Sequence, residues 1–290
     1  MRVLLAVDAS EASHVAVAEL ASRPWQPGTQ IEIVSAVDTY STWNAPGLSE
    51  ALQRRAEDAV RYAAEQLKAS GLAYTCNVLA GDPKSAVVDR AAQSGADLVM
   101  VGSHDASDTV RFLLGSVARA VVRHAPCSVE IVRPRPGSGA MKLLLATDGS
   151  ECSEQAARSV GSRPWPKGTE VRVLSVVELS ASWFTGSTPA YLDPEAVETL
   201  RSKTMQHARD AVATAEKIIA DAGLTVRGDV AIPSAAAKQV IITEAAEWGA
   251  NLIVLGSHGL RRGSRFLLGS VSEPVALHAG CSVEIIRGRA

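Results

Sequence analysis

The sequence predicts an α/β protein made of two domains, each with a parallel β-sheet covered by helices on both faces. At 290 residues the chain is too long for one α/β domain of ordinary size and about right for two. Short, nearly continuous apolar runs alternate with amphipathic helical patterns, as in sheets whose parallel strands are joined by right-handed crossovers. The sequence also repeats itself once, which supports two similar domains.

The internal repeat sets the number of domains. Val3–Glu11 returns as Leu143–Glu151, and Ser22–Trp25 returns as Ser162–Trp165, in both cases 140 positions later. Two copies of this length indicate two domains, because a solenoid needs shorter and more numerous repeats.

A short segment rich in proline, glycine and serine joins the two copies. We therefore predict a first domain at residues 1–134, a linker at 135–140 and a second domain at 141–290. Near their ends the copies match at an offset of 154 positions, so the second copy carries 14 additional residues. We place this insertion in a loop at about Phe184–Leu192.

Each copy follows the order β-α-β-α-β-α-β-α-β. In the first copy the strands are predicted at Arg2–Val7, Gln30–Val37, Tyr74–Leu79, Ala96–Gly102 and Ser128–Arg133. Apolar residues at three- and four-residue steps predict helices between them, including a long one at Leu48–Lys68 and a last one at Ser116–His124.

Local signals mark where the helices begin and end. Either Asp8 or Ser10 is the predicted N-cap of the first helix, and Gly71 is expected to end the long one. Asp82-Pro83 and Asp193-Pro194 each combine an N-cap residue with a proline in the first turn. The second copy is therefore expected to repeat the elements of the first.

Composition excludes several functions. The net charge is -2 and only 4% of residues are aromatic, which argues against binding to nucleic acid. No apolar run approaches the roughly 20 residues that a membrane span needs, and the apolar start of the chain is too short for a signal peptide. The four cysteines lack Cys-x-x-Cys spacing, which fits a reduced, cytoplasmic protein: Cys76, Cys127, Cys152 and Cys281.

A glycine-rich loop in the second copy is the main candidate site. The apolar strand at Asn251–Leu255 is followed by Gly256 and Gly259, and then by Gly269 and Ser270 just before a helical pattern. Glycine allows positive φ and close approach of the backbone to a ligand, and Ser270 stands where an N-cap is expected. The spacing is typical of a phosphate-binding loop, although a loop that uses glycine only for turns has a similar pattern.

Asp148 is the second part of this candidate site. It ends the first strand of the second copy, and ligands of open parallel sheets bind beyond the strand carboxyl ends, where strand order reverses. If the first and fourth strands are neighbours, Asp148 lies beside the Gly256 loop and accepts hydrogen bonds from a nucleoside. The alternative is that Asp148 only forms the turn or caps the next helix.

Polar residues of the loop have equally open roles. His258, and His104 in the first copy, either contact phosphate or bond to their own turn. Arg261, Arg262 and Arg265 either neutralise phosphates or form a solvated run. The sequence has no P-loop, no Gly-x-Gly-x-x-Gly after the first strand, no Gly-x-Ser-x-Gly and no metal-ligand spacing, so we predict neither a catalytic residue nor a metal site.

With these residues the chain resembles a tandem universal stress protein. The ATP-binding pattern of that family, Gly-x2-Gly-x9-Gly-[Ser/Thr], is met by Gly256, Gly259, Gly269 and Ser270. The resemblance implies two Rossmann-like domains, similar to the adenine nucleotide alpha hydrolases, each with a five-stranded sheet of order 3-2-1-4-5. It also implies ATP as the ligand, optionally with Mg²⁺.

The resemblance extends to further residues. It implies contact between adenine and Val176, with Ala36 as the matching residue of the first copy, and makes Ser257 and His258 part of the loop. Family members pair through their last strands, so residues 128–133 and 282–287 are expected to pair within the chain as a pseudo-dimer. A homodimer is a further expectation.

The first copy departs from the pattern. Asp105 stands where the second copy has Gly259, and its charge would lie near the phosphates. A like charge at about 4 Å costs on the order of 1–4 kcal/mol. We therefore expect a weaker site there, formed by residues that match those of the second copy: Asp8, Ala36, Gly102, Gly115 and Ser116.

Three functions fit these observations. The first is an ATP-binding stress-response module whose nucleotide state is sensed by a partner. The second is an enzyme, either a slow ATPase or a nucleotidyl-transfer enzyme. The third is an interaction scaffold without a ligand.

Overall fold

The computed structural model describes residues 1–38, 46–103, 114–135, 139–178, 193–232, 235–260 and 268–288. The first half contains β1 (Arg2–Ala6), α1 (Glu11–Ser22), β2 (Gln30–Val37), α2 (Pro46–Lys68), β3 (Ala73–Ala80), α3 (Pro83–Ser94), β4 (Leu98–Gly102), α4 (Ser116–His124) and β5 (Ser128–Val132). The second half contains β6 (Lys142–Ala146), α5 (Glu151–Ser162), β7 (Glu170–Val176), α6 (Pro194–Asp221), β8 (Thr225–Ala231), α7 (Ala237–Trp248), β9 (Leu252–Gly256), α8 (Ser272–His278) and β10 (Ser282–Ile286).

The ten strands form one sheet with the order β3-β2-β1-β4-β5-β10-β9-β6-β7-β8. Within each half the neighbouring strands are parallel and follow the order 3-2-1-4-5, which confirms the predicted fold class. The two halves meet where β5 and β10 pair antiparallel, with Glu130 directly opposite Glu284.

Helices cover both faces of the sheet, but the two faces are packed differently. On one face, α3, α4, α7 and α8 pack on a single apolar cluster that runs through both halves, including Val129 and Ile285. On the other face, α1 with α2 and α5 with α6 cover two separate clusters. Side chains alternate along a strand, so Glu130 and Glu284 lie on this second face, between the two clusters.

Most helix ends follow the predicted signals. Ser10, rather than Asp8, is the N-cap of α1, and Asp82 and Asp193 cap α3 and α6 with a proline in the first turn. Gly71 adopts φ of +69° after α2, as expected for a residue that follows a helix end. The predicted loop insertion at 184–192 lies outside the described residues.

The expectation that Ser270 caps the last helix is wrong. In the first half α4 begins at Ser116 with Gly115 as its N-cap, but α8 begins two positions later than the repeat predicts, with Val271 as its N-cap. Pro274 explains the difference, because proline has no N–H to donate to the carbonyl of Ser270 and its ring crowds that carbonyl.

The repeated Ser-Arg-Pro-Trp segments meet at the junction between the halves. Arg23 forms two hydrogen bonds with Glu130, at 2.8 and 2.5 Å, and one with Glu19, at 2.9 Å. Arg163 binds Glu284 at 2.8 Å. Glu130 and Glu284 are at most 1% exposed, so the arginines balance two carboxylates that water does not reach. We call Arg23, Glu130, Arg163 and Glu284 the arginine–glutamate clamp.

The clamp predicts a dependence of stability on pH. Burial raises the pKa of Glu284, with Glu130 adding to the effect while Arg163 opposes it. A carboxyl with a raised pKa in the folded protein stabilises the fold at low pH, and this contribution is lost as the pH rises through the folded pKa. The free energy of unfolding of the wild type should therefore fall, relative to Glu284→Gln, as the pH rises above the ordinary glutamate pKa of about 4.5. Urea unfolding at several pH values measures this difference, and parallel pH profiles for the two proteins would contradict the prediction.

Candidate functional site

The candidate site of the second half lies where strand order reverses. Because β6 and β9 are parallel neighbours, the loops that follow them meet at the same edge of the sheet. The Asp148 carboxylate joins these loops, since one oxygen accepts from the Ser150 amide at 3.0 Å and the other from the Leu260 amide at 3.1 Å. Ser150 Oγ also donates to the carbonyl of His258, at 3.3 Å.

Asp148 is therefore not the N-cap of α5, which was one of the alternative roles considered for it. Ser150 caps α5 by accepting from the Ser153 amide. Asp148 instead forms the local turn with one oxygen and fixes the glycine loop with the other. A ligand at this edge therefore meets a carboxylate that is already held in place.

The glycines of this loop are required by close contacts and not by positive φ, which none of the three adopts. A Cβ on Gly256 would lie 2.7 Å from the backbone of Cys152, so this glycine lets α5 pack against β9. A Cβ on Gly259 would lie 2.5 Å from Oδ2 of Asp148. A Cβ on Gly269 would lie 3.2 Å from the carbonyl oxygen of Ser257.

Hydrogen bonds close the loop at its far end. The Gly269 amide donates to the carbonyl of Ser257 at 2.8 Å, and Ser272 Oγ donates to the same oxygen at 3.0 Å. The first half repeats the first of these bonds, from Gly115 to Ser103, at 2.8 Å. This shared bond shows that both loops return to the same point on the sheet edge.

His258 fulfils one of the two roles that the sequence left open, since it bonds within its own turn. Its Nδ1 lies 3.0 Å from Ser257 Oγ, so the ring bonds within its own turn. Its Nε2 is buried and has no hydrogen-bond partner within the described part of the chain. A buried nitrogen without a partner is costly, and a polar ligand group would satisfy it.

The remaining predicted residues are placed as follows. Val176 ends β7 beside the core cluster that spans both halves, and Ser270 is an exposed turn residue. The amides of Ser270 and Val271 donate to no backbone carbonyl among the described residues. Three predicted phosphate contacts lie outside those residues: Arg261, Arg262 and Arg265.

The first half has a cavity at the matching place, with a volume of about 340 Å³. All five residues predicted for this weaker site line it: Asp8, Ala36, Gly102, Gly115 and Ser116. Burial alone would raise the pKa of Asp8, but hydrogen bonds from Ser10 and Ser13 outweigh burial and keep this pKa below its usual range. Asp105 and His104 lie outside the described residues.

Sequence reasoning missed a residue of each long helix. His207 Nε2 lies 2.8 Å from the backbone oxygen of Asp148, and a Cβ on Gly149 would lie 2.9 Å from the same ring. Arg55 holds the matching position, 16 residues before Gly71 as His207 is before Gly223, and its charge helps to lower the pKa of Asp8. Aligning the copies backwards from these two glycines would have found the pair.

Two further observations concern metal binding and membrane spans. Among the described residues, no group of three or more histidine, cysteine, aspartate or glutamate side chains is arranged to hold a metal ion. The helices described in the structure include none that combines the length and the apolar character of a membrane span.

The fold and the site define a protein with two doubly wound α/β domains, each with a candidate ligand site where strand order reverses. Comparison with known proteins identifies its family. The model of the universal stress protein family matches residues 1–133 and 140–287, so the chain belongs to this family.

Individual relatives agree with this assignment. A putative universal stress protein of Staphylococcus epidermidis is 31% identical over 137 residues, which cover 45% of this chain and 82% of the relative. A universal stress protein of Thermus aquaticus is 31% identical over 133 residues, covering 45% of this chain and 97% of the relative. The crystal structure of a universal stress protein from Archaeoglobus fulgidus matches 100% of this chain and 98% of its own, with a TM-score of 0.69 and 21% identity.

Proposed function

We propose that this universal stress protein binds ATP, mainly in its second half, and acts as a nucleotide-dependent regulatory module. The observation that carries the proposal is the junction of Asp148 with the glycine loop. There, a fixed carboxylate and two glycines in close contact with their surroundings meet the Nε2 of His258, which has no partner among the described residues, at one sheet edge. Such an arrangement offers groups for both a nucleoside and phosphates.

The proposal gives each residue a role. Val176 contacts the adenine, and Asp148 accepts hydrogen bonds from the nucleoside. The amides of Ser270 and Val271, together with His258, donate to the phosphates. Arg261, Arg262 and Arg265 neutralise phosphate charge, and Mg²⁺ would accompany the nucleotide if it is required.

The first half differs from the second in the charge of its site. Its cavity falls within the range of ordinary ligand pockets, about 300–1,000 Å³. Asp105, at the position of Gly259, adds a second carboxylate to a site that already contains Asp8. We therefore propose that ATP binds more weakly here than in the second half.

The proposed pseudo-dimer suggests how nucleotide binding would be sensed by a partner protein. The two halves share a sheet through β5 and β10, and each site lies at the N-terminus of a helix, α1 or α5, whose other end leads into the clamp. Nucleotide occupancy would bias how the halves, or two chains in a homodimer, present their surfaces. Slow ATP hydrolysis and a ligand-free scaffold remain the competing functions.

Titration calorimetry of the full chain with ATP tests the proposal. We expect one tight site per chain, and we expect Val176→Trp to weaken ATP binding by at least about tenfold because the indole fills the adenine space. The matched variant Ala36→Trp in the first half should leave the tight site unchanged. Thermal unfolding of both variants shows whether they fold.

Three outcomes decide between the functions. If the folded wild type does not bind ATP, the interaction scaffold without a ligand is the function that the observations support. Steady phosphate release that is lost in Gly259→Asp would favour the ATPase. Equal losses in the two tryptophan variants would contradict the assignment of the tight site to the second half.

A further inference from the structure

A broad polar groove runs between the two halves at the edge of the sheet where the strands of the first half begin and those of the second half end. Its volume is about 1320 Å³. The first half contributes the beginnings of its strands, including Arg2, Gln30 and Ser128, while the second half contributes α5 and the end of β10. Because the two halves are repeats, the molecule has a second region built from the matching residues, and the two regions can be compared.

Both regions begin in the same way. Arg133 follows β5, its amide donates to Ser282 Oγ at 3.0 Å, and its guanidinium donates to the carbonyl of Ala276 at the end of α8. Arg287 follows β10, its amide donates to Ser128 Oγ at 3.2 Å, and its guanidinium donates to carbonyls at the end of α4. Each half thus caps the last helix of the other.

The two regions differ in what lies on the helix beside them. In the region next to α1, a segment of the chain itself covers the helix. The segment Arg133–Arg135 leaves β5 and crosses α1, where Arg135 Nε lies 2.8 Å from Oε2 of Glu19. Glu19 is only 7% exposed, because this segment and Arg23 cover it. This region therefore holds an extended basic segment against a buried carboxylate.

In the open groove, the matching positions of α5 hold residues of different charge and polarity. Ser159 replaces Glu19, and Arg158 replaces Ala18. Gln155 replaces Val15, and its Oε1 is buried with no hydrogen-bond partner among the described residues. The acidic and apolar surface under Arg133–Arg135 is therefore replaced by a basic and polar one in the groove.

The charge of the open groove is positive overall. Four arginines line it against two carboxylates, Asp97 and Glu284, which leaves a net charge of two positive units. Arg163 and Glu284 neutralise each other at the base. Arg158 is 63% exposed and, among the described residues, bonds only to Glu154 on its own helix, at 2.9 Å, so its remaining donors are available to the groove.

We propose that this groove binds an extended acidic segment of a partner protein, in the way that the segment Arg133–Arg135 lies in the matching region. Carboxylates of the segment would bind Arg158, and a backbone N–H would donate to Gln155 Oε1. The proposal does not depend on nucleotide binding, since none of the residues that line the groove belongs to either candidate site.

Fluorescence anisotropy with labelled peptides tests the proposal on the full chain. The acidic probe is an alternating glutamate–serine peptide of about eight residues, which spans roughly 25 Å when extended. The basic probe is a peptide with the linker sequence from Arg133 to Gly139. We expect the wild type to bind the acidic probe more tightly than the basic one. Arg158→Ala introduces the residue found at the matching position Ala18, and we expect it to weaken binding of the acidic probe about fivefold.

Ser159→Glu is the sharper variant. It introduces the carboxylate that the matching region uses for Arg135, so we expect it to weaken binding of the acidic probe about tenfold and to strengthen binding of the basic probe. Equal binding of the two probes by the wild type, or no change in either variant, would overturn the proposal. An oligothymidylate of equal charge that binds as tightly as the acidic peptide would overturn the assignment to a protein partner.

Discussion

Replacing Arg23 with methionine is expected to reduce the free energy of unfolding by about 3–5 kcal/mol. The substitution leaves Glu130 and Glu19 buried without their principal cation, and Glu130 lies directly opposite a second buried carboxylate. Burial alone would lower the pKa of Arg23, but the charges of Glu130 and Glu19 outweigh burial and raise this pKa, so the wild-type side chain stays charged. Methionine fills similar space but cannot replace that charge.

The measurement is urea unfolding at neutral pH, followed by far-ultraviolet circular dichroism. Arg54→Met is the control, because Arg54 pairs with Glu50 at 3.0 Å while their side chains are 72% and 70% exposed. Exposed pairs contribute at most about 1 kcal/mol, so this variant should unfold close to the wild type. Equal shifts for the two variants would contradict the expectation that the buried clamp contributes more to stability than an exposed ion pair.

A double variant separates loss of the cation from loss of packing. Replacing Glu130 by glutamine together with Arg23→Met removes the uncompensated charge, so it should recover part of the loss. If the double variant unfolds at the sum of the two single losses, packing of the Arg23 side chain, and not its charge, would account for the effect.

The clamp also shows what the sequence could not predict. The repeat revealed that Ser-Arg-Pro-Trp occurs twice, and the alternation of strands and helices predicted the layers, whereas the strand order was predicted only from the resemblance to the family. The opposition of Glu130 and Glu284 depends on the register of an antiparallel pairing between distant strands, which local patterns do not specify. The role of the repeated arginines therefore became visible only with the fold.

The candidate site shows a different limit. Spacing drew attention to the glycines but did not show why they are glycines, because a missing Cβ serves close packing as well as positive φ. Gly256 touches α5 and Gly259 touches Asp148, contacts that depend on which loops the sheet brings together. The late start of α8 was predictable from Pro274 alone, whereas His207 depends on the packing of α6 over the turn.

Replacing Gly259 with aspartate is expected to weaken ATP binding roughly tenfold to several hundredfold, which corresponds to about 1–4 kcal/mol for a like charge some 4 Å away. The structure adds a steric effect, since the new Cβ would lie 2.5 Å from Oδ2 of Asp148. Asp148 would then have to move and release the Leu260 amide that it now accepts from. The substitution gives the second half the residue that the first half has at position 105.

Calorimetric titration of the full chain with ATP measures this loss, and two further variants divide it into its causes. Gly259→Ala introduces the Cβ without the charge, so its loss reports the displacement of Asp148 alone and should be smaller. Asp105→Gly makes the reverse change in the first half and should add a second binding site. If Gly259→Asp binds ATP as the wild type does, or if Asp105→Gly adds no site, then the residue at this position does not distinguish the halves, and the proposed difference between their sites is wrong.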